Sequence, residues 1–376
     1  MLGPQLQYQS LKTVLLHMDA NTRFRISTHM QSVRNVEKTV PLKLKHLEMS
    51  KEGTVIDDTS YIIEVVRYHP EGSKYPWPTE VGELRRPFDF DEFGFIVDLG
   101  KNVLLPGDIP FQLEDDTESR NNVKSPLKYY IELTITRETS KQIKRFEYTK
   151  KQYEAVKQLN GVFFGGRSEP ILVQLLDLTP SDFTPLNWIY RLPTECRLHA
   201  SQVNAIDFHL AHRTIPLLIG NSENLDTLCV FCIGEPNALR NQIARSARKL
   251  VIDEPYGKEV MEELCRDLPN QEILFVTRNL VSFPMHHDDL INVWLSGDRP
   301  VGASFWITLE TDKKAREILR LVAKRHKNAE RINRCVTIPR DDSTKVNIFY
   351  APIEESSLSS YDNICKWTLK VEIVNV

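Results

Sequence analysis

The pattern of apolar residues predicts short helices near the N-terminus. In residues 8–40, apolar side chains recur three and four positions apart, which is the spacing of one face of a helix. The first such stripe consists of Leu11, Val14, Leu15 and Met18. Asp19 or Asn21 can cap a second helix, and Pro41 ends the run because proline clashes with a continuing helix. The apolar residues of that second helix are Phe24 and Ile26. We expect a helical module at residues 1–45 that needs another surface to be stable.

Residues 46–150 show a different pattern, in which apolar and polar residues alternate over short runs. β-branched and aromatic residues dominate these runs, and polar or proline-bearing segments separate them. The runs cover residues 42–47, 61–68, 93–99 and 129–136. Because alternation is typical of strands that bury one face, we expect a small antiparallel β domain.

The remaining residues, 151–376, alternate short apolar runs with helix-compatible segments. The first four runs begin at Ile206, Leu228, Leu250 and Ile273. Their spacings are 22, 22 and 23 residues, and the later spacings are 31 to 33 residues. A strand and a helix every 20–30 residues or so is the period of a leucine-rich-repeat solenoid, although the consensus of such repeats is not cleanly present. We therefore predict an irregular leucine-rich-repeat-like α/β domain, and an ordinary layered α/β domain stays open. The predicted fold class is α+β with three domains.

Composition and charge restrict the classes of function. Of the 376 residues, 41% are hydrophobic and 26% are charged, which is typical of globular proteins and excludes wholesale disorder or a fibrous chain. The 48 Lys and Arg residues nearly balance the 51 Asp and Glu residues, whereas nucleic-acid-binding proteins usually carry a basic excess. No apolar run approaches the roughly 18–20 residues of a membrane helix. We therefore expect neither a nucleic acid nor a membrane as the partner.

Two further features indicate the compartment. The N-terminal residues lack the basic segment and the apolar core that a signal peptide has. The six cysteines are scattered through the chain, as thiols are in a reducing compartment, and they do not resemble a disulfide framework. We expect a cytoplasmic or nuclear protein.

Few side chains form a pattern that indicates catalysis or metal binding. Cys229 and Cys232 form a C-x-x-C pair, which can be a redox pair or half of a zinc site, but no second ligand pair accompanies it. Two buried thiols on a strand explain the pair more simply. Residues 286–289, His-His-Asp-Asp, can bind a metal, yet an Asp that caps the following helix is the simpler interpretation. We expect no catalytic residue, no metal site and no cofactor.

Three other segments allow both a structural and a binding interpretation. The sequence Gly165-Gly166-Arg167 lacks the further glycines and the Lys-Ser/Thr pair of a phosphate-binding loop, so we predict a turn with a solvated arginine. Residues 312–334 are the most basic segment, but the helical spacing of their apolar residues favours an amphipathic helix packed on a sheet. Trp77, between two prolines, can anchor a peptide or pack on the β domain.

Three stretches together resemble a known family. Residues 8–37 look like a degenerate F-box, with a leucine-bearing helix, an Asp-containing turn and an Arg-bearing helix. The second stretch is residues 161–168, Gly-Val-Phe-Phe-Gly-Gly-Arg-Ser. The third, residues 286–300 before Phe-Trp-Ile-Thr-Leu at 305–309, is similar to a segment of F-box-associated domains. The combination most resembles the nematode-expanded F-box proteins of the F-box C type.

This resemblance implies a non-enzymatic subunit that recognises substrates for a cullin-type, SCF-like ubiquitin ligase. It also implies that the N-terminal helices bind a Skp-type adaptor, which joins the chain to the cullin complex, while a protein substrate binds elsewhere. The candidate adaptor-binding residues are Leu11, Val14, Leu15, Met18, Phe24 and Ile26. Two alternatives stay open: a free-standing interaction module that has lost adaptor binding, and an unrecognised α/β hydrolase or nucleotide-binding enzyme.

Target binding is predicted on residues 200–376. In a strand–helix repeat the strands line one face, which leaves a broad surface suited to a protein partner. The candidate target-binding residues are His209 and Glu254, as polar positions on predicted strands, and Trp77 in the β domain.

Overall fold

A computed structural model of the protein describes residues 4–69, 82–86, 88–92, 104–112, 127–178, 188–205, 208–220, 225–231, 241–253, 258–276, 287–353 and 365–376. The chain divides into two compact units. The first unit consists of Met1–Ala200 and Arg213–Gly220, and the second of Ser201–His212 and Asn221–Val376. The domain limits at residues 45 and 150 stay a prediction.

The first unit begins with helices and continues as a mixed sheet. Its helices are α1 (Pro4–Leu16), α2 (Ala20–His29), α3 (Gln31–Lys38) and α4 (Gln152–Phe164). Its strands are β1 (Lys43–Met49), β2 (Gly53–Ile56), β3 (Thr59–His69), β4 (Gly82–Arg86), β5 (Ile109–Gln112), β6 (Lys128–Arg137), β7 (Ser140–Glu147), β8 (Ile171–Leu178) and β9 (Trp188–Tyr190). The strand order is β8-β1-β2-β3-β6-β7, with β4 beside β3, and β5 and β9 pair separately. Only the β1–β8 pair among the paired strands of this order is parallel.

The N-terminal helices follow the sequence pattern closely. Asp19 is the N-cap of α2, because its side chain accepts a hydrogen bond of 2.9 Å from the backbone N–H of Thr22. The buried core of the helices consists of Leu15, Val33, Val36 and Val40, with Leu11, Met18 and Ile26 packed against it. The predicted strand at 42–47 is also confirmed, since residues 43–47 lie in β1.

The second unit combines parallel and antiparallel strands. Two elements contain residues of both units: β10 (Leu198–Ala205) and α5 (Phe208–Ile219). The remaining helices are α6 (Gln242–Ser246), α7 (Lys258–Asp267), α8 (His287–Ser296) and α9 (Asp312–Arg325). The remaining strands are β11 (Thr227–Phe231), β12 (Lys249–Asp253), β13 (Glu272–Val276), β14 (Ser304–Leu309), β15 (Glu330–Ile332), β16 (Cys335–Pro339), β17 (Thr344–Pro352) and β18 (Trp367–Asn375). The strands β10 to β14 are parallel neighbours, and β14-β18-β17-β16-β15 continue antiparallel.

The predicted combination of a separate F-box-like helical module, a small β domain and a leucine-rich-repeat-like domain is wrong. Sixteen of the strands that the structure describes hydrogen-bond in mixed parallel and antiparallel ladders. The N-terminal helices are bound into the first unit, because the buried Asn21 donates to the Ile56 carbonyl oxygen and accepts from the Tyr61 hydroxyl, each at 2.9 Å. They do not stand apart from the sheet.

The repeat-like spacing has a different cause from the predicted one. Leu228, Leu250, Ile273 and Phe305 are register partners on four neighbouring parallel strands. A parallel sheet with helical connections produces this spacing as readily as a solenoid does, since each crossover needs a dozen or more residues. The series of parallel strands ends at β14, because its other neighbour, β18, is antiparallel to it. The strand predicted at 206–210 is wrong as well, because helix α5 begins at Phe208.

Candidate functional site

The six candidate adaptor-binding residues do not share one surface. Leu15 and Phe24 are buried, with 1% and 2% of their surface exposed, whereas Val14 is 55% exposed. The half-buried members, Leu11, Met18 and Ile26, pack on the core of the helices. Val14 is therefore the member of the set that offers apolar surface to a partner.

The outer surface of α1 carries further apolar side chains. Tyr8 is 38% exposed and Leu16 is 46% exposed, although sequence analysis assigned neither to binding. Met30, between α2 and α3, is 52% exposed. Because Leu11 and Leu15 already face the core, α1 is apolar on its inner side and keeps apolar side chains on its outer sides.

A buried ion network holds α2 and α3 against the end of α4. The Glu37 carboxylate is 0% exposed and lies 2.9 Å from Arg23 Nη2 and 2.7 Å from Arg167 Nη2. Arg23 also donates hydrogen bonds to the carbonyl oxygens of Pro41 and Val40. One carboxylate thus serves two buried guanidinium groups, which makes it hard to replace.

The arginine predicted to be solvated belongs to this network, so that prediction is wrong. Gly166 adopts a φ of +68°, as glycine readily does, and Arg167 folds back to donate to the Phe163 carbonyl oxygen at the end of α4. Its side chain is only 4% exposed. The turn itself is confirmed.

Lys38 completes the junction between the N-terminal helices and α4. Its Nζ donates to the carbonyl oxygens of Val162 and Phe163 at 2.5 and 3.1 Å, at the helix end where carbonyl groups lack partners. Burial, together with the nearby arginines, lowers the pKa of Lys38 to about 8. The Phe163 ring also packs against those of Phe24 and Tyr61, at centroid distances of 4.8 and 4.7 Å. The helices are therefore fixed on the first unit.

An apolar groove lies on the face of the first unit's sheet that α4 partly covers, between α4 and β7. We call it the α4–β7 groove. It consists of two cavities of about 350 and 380 Å³ that share the side chains of Leu133, Leu159 and Val162. Strands β3 and β6 supply the floor of the groove, with the side chains of Tyr61, Ile63, Ile131, Leu133 and Ile135. Strand β7 supplies the far wall, with the side chains of Ser140, Gln142, Lys144 and Phe146. Helix α2 lines one end along most of its length.

The side chains of the three candidate target-binding residues lie outside the described residues. Trp77 and Glu254 lie outside the described residues. The backbone of His209 belongs to α5 and not to a strand, and its side chain lies outside the described residues. Their role in target binding stays a prediction.

The candidate metal ligands have structural surroundings where they are described. Cys229 lies half-buried on β11, while Cys232 lies outside the described residues. Asp288 and Asp289 are in the first turn of α8, which begins at His287, so neither is the predicted N-cap. Each forms an ion pair of 3.0 Å with Arg325 on α9. Within the part of the chain that the structure describes, no group of three or more His, Cys, Asp or Glu residues could hold a metal.

The third stretch of the resemblance contains an arginine whose role the sequence did not reveal. The side chain of Arg299 is buried and donates to the carbonyl oxygens of Cys265, Arg266 and Leu268, which end α7. Burial lowers the pKa of Arg299. The guanidinium also lies over the Trp294 ring, 5.9 Å from its centroid. The Trp and Arg of this stretch are thus explained by packing within the second unit.

The basic segment at 312–334 is an amphipathic helix in its first part, as predicted. The buried face of α9 consists of Ala315, Ile318, Leu319 and Val322. Its outer face carries the charged residues, and Arg316 pairs with Asp312 one turn earlier at 2.9 Å. No helix in the described part of the chain is long and apolar enough to cross a membrane.

Comparisons with known proteins give one match. A family model described as a domain of unknown function (DUF3557) matches residues 151–311, which is less than half of the chain. The search of curated proteins gives no match, and the search of solved structures gives none either. The matched region includes α4, Arg167 and the Trp294–Arg299 pair, and no function accompanies the match.

Proposed function

We propose that this chain is a non-enzymatic protein-binding subunit that recognises substrates for a cullin-type ubiquitin ligase. In this proposal the N-terminal helices bind a Skp-type adaptor, and other surfaces hold the target. The observation that carries it is the exposed apolar surface of α1, where Tyr8, Val14 and Leu16 remain outside the core of the helices. The resemblance of residues 8–37 to an F-box points to the same partner.

The exposed side chains of α1 favour a protein partner because three apolar ones lie on one short helix. At about 100° per residue, Val14 and Leu16 point roughly 160° apart, so a partner that covers both must lie across the exposed side of the helix. Isolated exposed apolar residues are common and need no explanation, but several on one short helix favour an interaction surface. Docking a second protein on α1 would remove Val14 and Leu16 from water while Leu15 stays in the core. The adaptor would thus use the side chains that the core does not.

The ion network supports this function mechanically. A recognition subunit must hold its target at a defined position relative to the adaptor. Glu37, Arg23, Arg167 and Lys38 fix the helices to the first unit through side chains rather than through a flexible linker. An adaptor bound to α1 would therefore have a fixed geometry relative to that unit.

A free-standing interaction module is the second candidate function. The packing of five of the six expected contact residues within the protein itself favours it, since Val14 alone of the six is largely exposed. A module of this kind would bind its target without an adaptor. The two functions predict opposite outcomes of the same experiment.

The experiment is co-purification of the full-length chain with a Skp-type adaptor. We expect Val14→Asp and Leu16→Asp to reduce adaptor capture about tenfold or more, because each places a charge in an apolar contact. Thr139→Asp is the matched control, since Thr139 is exposed in the turn between β6 and β7, outside α1, and acquires the same charge. Equal capture by all four proteins would contradict the proposed surface. No capture by the wild-type chain would favour the free-standing module.

Two simpler variants would not test this function. Removal of residues 1–45 would cut into β1, which lies between β2 and β8 in the sheet. Leu15→Asp would bury a charge at a position that is 1% exposed. We expect that variant to lose several kcal/mol of folding free energy, on the order of 3–5 kcal/mol, and to unfold before it reports on binding.

A further inference from the structure

We propose that the α4–β7 groove of the first unit binds an amphipathic helix with acidic side chains, supplied by the target protein. This inference rests on the proposed function in that it assumes a protein target. It places target recognition on the first unit rather than on residues 200–376.

The first step is that α4 covers only part of the sheet face. The strands β3, β6 and β7 are adjacent, with Ile63 opposite Leu133 and Leu133 opposite Lys144. Helix α4 packs on β3, and Val156 of α4 forms a buried cluster with Ile63 on β3 and Ile131 on β6. Ala155 and Leu159 of α4 pack against this cluster. On β7, Phe146 points to the same face and is 52% exposed. The groove face of β7, on which Phe146 is the apolar lining residue, is therefore open on the side away from α4.

The second step is that the open space has the width of one helix. Neighbouring strands lie about 4.8 Å apart, so β7 lies roughly 10 Å from β3. Packed helices lie about 8–10 Å apart, so a helix above β7 would fit beside α4. The lining of the groove extends from Ser140 to Phe146 along β7, which corresponds to roughly 20 Å, or a helix of about 14 residues.

The third step is the charge of the groove. Arg25, Lys144 and Lys150 line it, all three side chains are exposed, and none forms an ion pair with any residue that the structure describes. Lys150 Nζ instead donates to the Gln158 side chain at 2.8 Å. Arg137, also in the lining, is paired with Asp58 at 2.8 Å. Glu147 is the one acidic residue among the described lining residues, at the end near Lys150.

The opposite face of the same strands is arranged differently. There Arg145 is paired with Glu83 at 2.7 Å and with the buried Glu132 at 2.8 Å. The protein thus supplies carboxylates for Arg145 on the back of β7, whereas no described carboxylate pairs with Arg25, Lys144 or Lys150 around the groove. Acidic side chains on a bound helix would complement these cations, while its apolar face would cover Leu133, Ile135 and Phe146.

The experiment measures binding of fluorescent model peptides to the full-length chain by polarisation. Two helical peptides of about 14 residues share one apolar stripe, and their remaining positions are Glu-rich in the first and Lys-rich in the second. A third peptide has the Glu-rich composition with strictly alternating apolar residues, so that it is extended. We expect the first peptide to bind at least about tenfold more tightly than the others, and less tightly as salt rises.

Matched variants on β7 locate the binding. Phe146→Ser and Lys144→Glu change the groove face, and we expect each to weaken binding of the Glu-rich helix about tenfold. Ile143→Ser and Lys141→Glu are the controls, because both residues are exposed on the same strand but on its other face. We expect these two variants to bind as the wild type does.

Several outcomes would overturn the inference. Equal binding of the Glu-rich and Lys-rich helices would contradict the role of charge, and no binding of the Glu-rich helix would contradict the groove itself. Tighter binding of the extended peptide would indicate strand addition to β7 instead. Loss of binding in the Ile143→Ser or Lys141→Glu control would place the site elsewhere. Adaptor capture is measured separately, so a failure of the groove leaves the role of α1 intact, and the converse also holds.

Discussion

Glu37 on α3 and Arg167, which follows α4, form a buried ion pair with 2.7 Å between Glu37 Oε1 and Arg167 Nη2. The two residues are 130 positions apart in sequence. Arg23 shares the same carboxylate oxygen. Within the first unit, this pair joins the region that resembles an F-box to the beginning of the region that matches the DUF3557 family model.

Removal of the shared carboxylate should be costly. Glu37→Gln would leave Arg23 and Arg167 buried without a counter-charge, and we expect a loss of about 3–5 kcal/mol in the free energy of unfolding. Denaturant unfolding measures it. Asp312→Asn is the control, because its pair with Arg316 is exposed and should contribute about 0.5 kcal/mol or less. Similar stabilities for the two variants would show that the network does not hold the helices.

The charge of Lys38 should make the stability depend on pH above neutrality. Burial lowers its pKa to about 8 in the folded chain, from an ordinary value of 10.5. Between these pH values the unfolded chain binds more protons than the folded chain, so this residue makes stability rise with pH. Its partial exposure limits the gain to roughly 1–2 kcal/mol.

The contribution of Lys38 must be measured as a difference, because other groups titrate in the same range. Burial raises the pKa of Cys196 to about 11 and that of Tyr61 to about 12, and both effects make stability fall as pH rises. We compare unfolding of the wild type and of Lys38→Met from pH 7.5 to 10. The wild type should gain stability relative to the variant. A constant difference across this range would disprove the lowered pKa.

Arg299 should stabilise the second unit through the end of α7. Arg299→Ala would leave the carbonyl oxygens of Cys265 and Leu268 without their donors, and we expect a loss of about 2–4 kcal/mol. Hydrogen exchange of α7 should accelerate in this variant. Asp298→Asn, at the neighbouring exposed position, should leave the exchange of α7 unchanged. Unchanged exchange in Arg299→Ala as well would exclude the proposed role.

The sequence predicted local structure better than it predicted the architecture. The N-terminal helix with Leu11 and Leu15 on its buried side, the Asp19 cap and the amphipathic helix with Ala315 and Val322 are set by neighbours within a few turns, and all of them are confirmed. The predicted stripe is not confirmed as a whole, because Val14 is exposed and Met18 follows the end of α1. The spacing from Leu228 to Phe305 identified real strands, but spacing does not distinguish a solenoid from a parallel sheet. The antiparallel pairing of β14 with β18 ends the parallel series, which a continuing solenoid would not do. The spacing could not reveal this pairing, because β18 lies some 60 residues further along the chain.

The candidate site was harder to predict because it depends on long-range contacts. Arg167 was expected in solvent, since nothing near it in sequence shows that Glu37 faces it. Leu15 and Val14 are adjacent in one apolar stripe, and only the packing of α3 on α1 separates the buried residue from the exposed one. For the groove, the sequence contains one indication, because Phe146 is an aromatic residue in a strand that is otherwise mostly polar.

The central claim is that the outer surface of α1 binds a Skp-type adaptor. Hydrogen–deuterium exchange of the full-length chain, with and without purified adaptor in excess, tests it most directly. The account predicts slower exchange in peptides that cover Pro4–Leu16, and unchanged exchange in peptides that cover Ser140–Glu147 on β7. Unchanged exchange throughout Pro4–Leu16 in the presence of excess adaptor would contradict the claim.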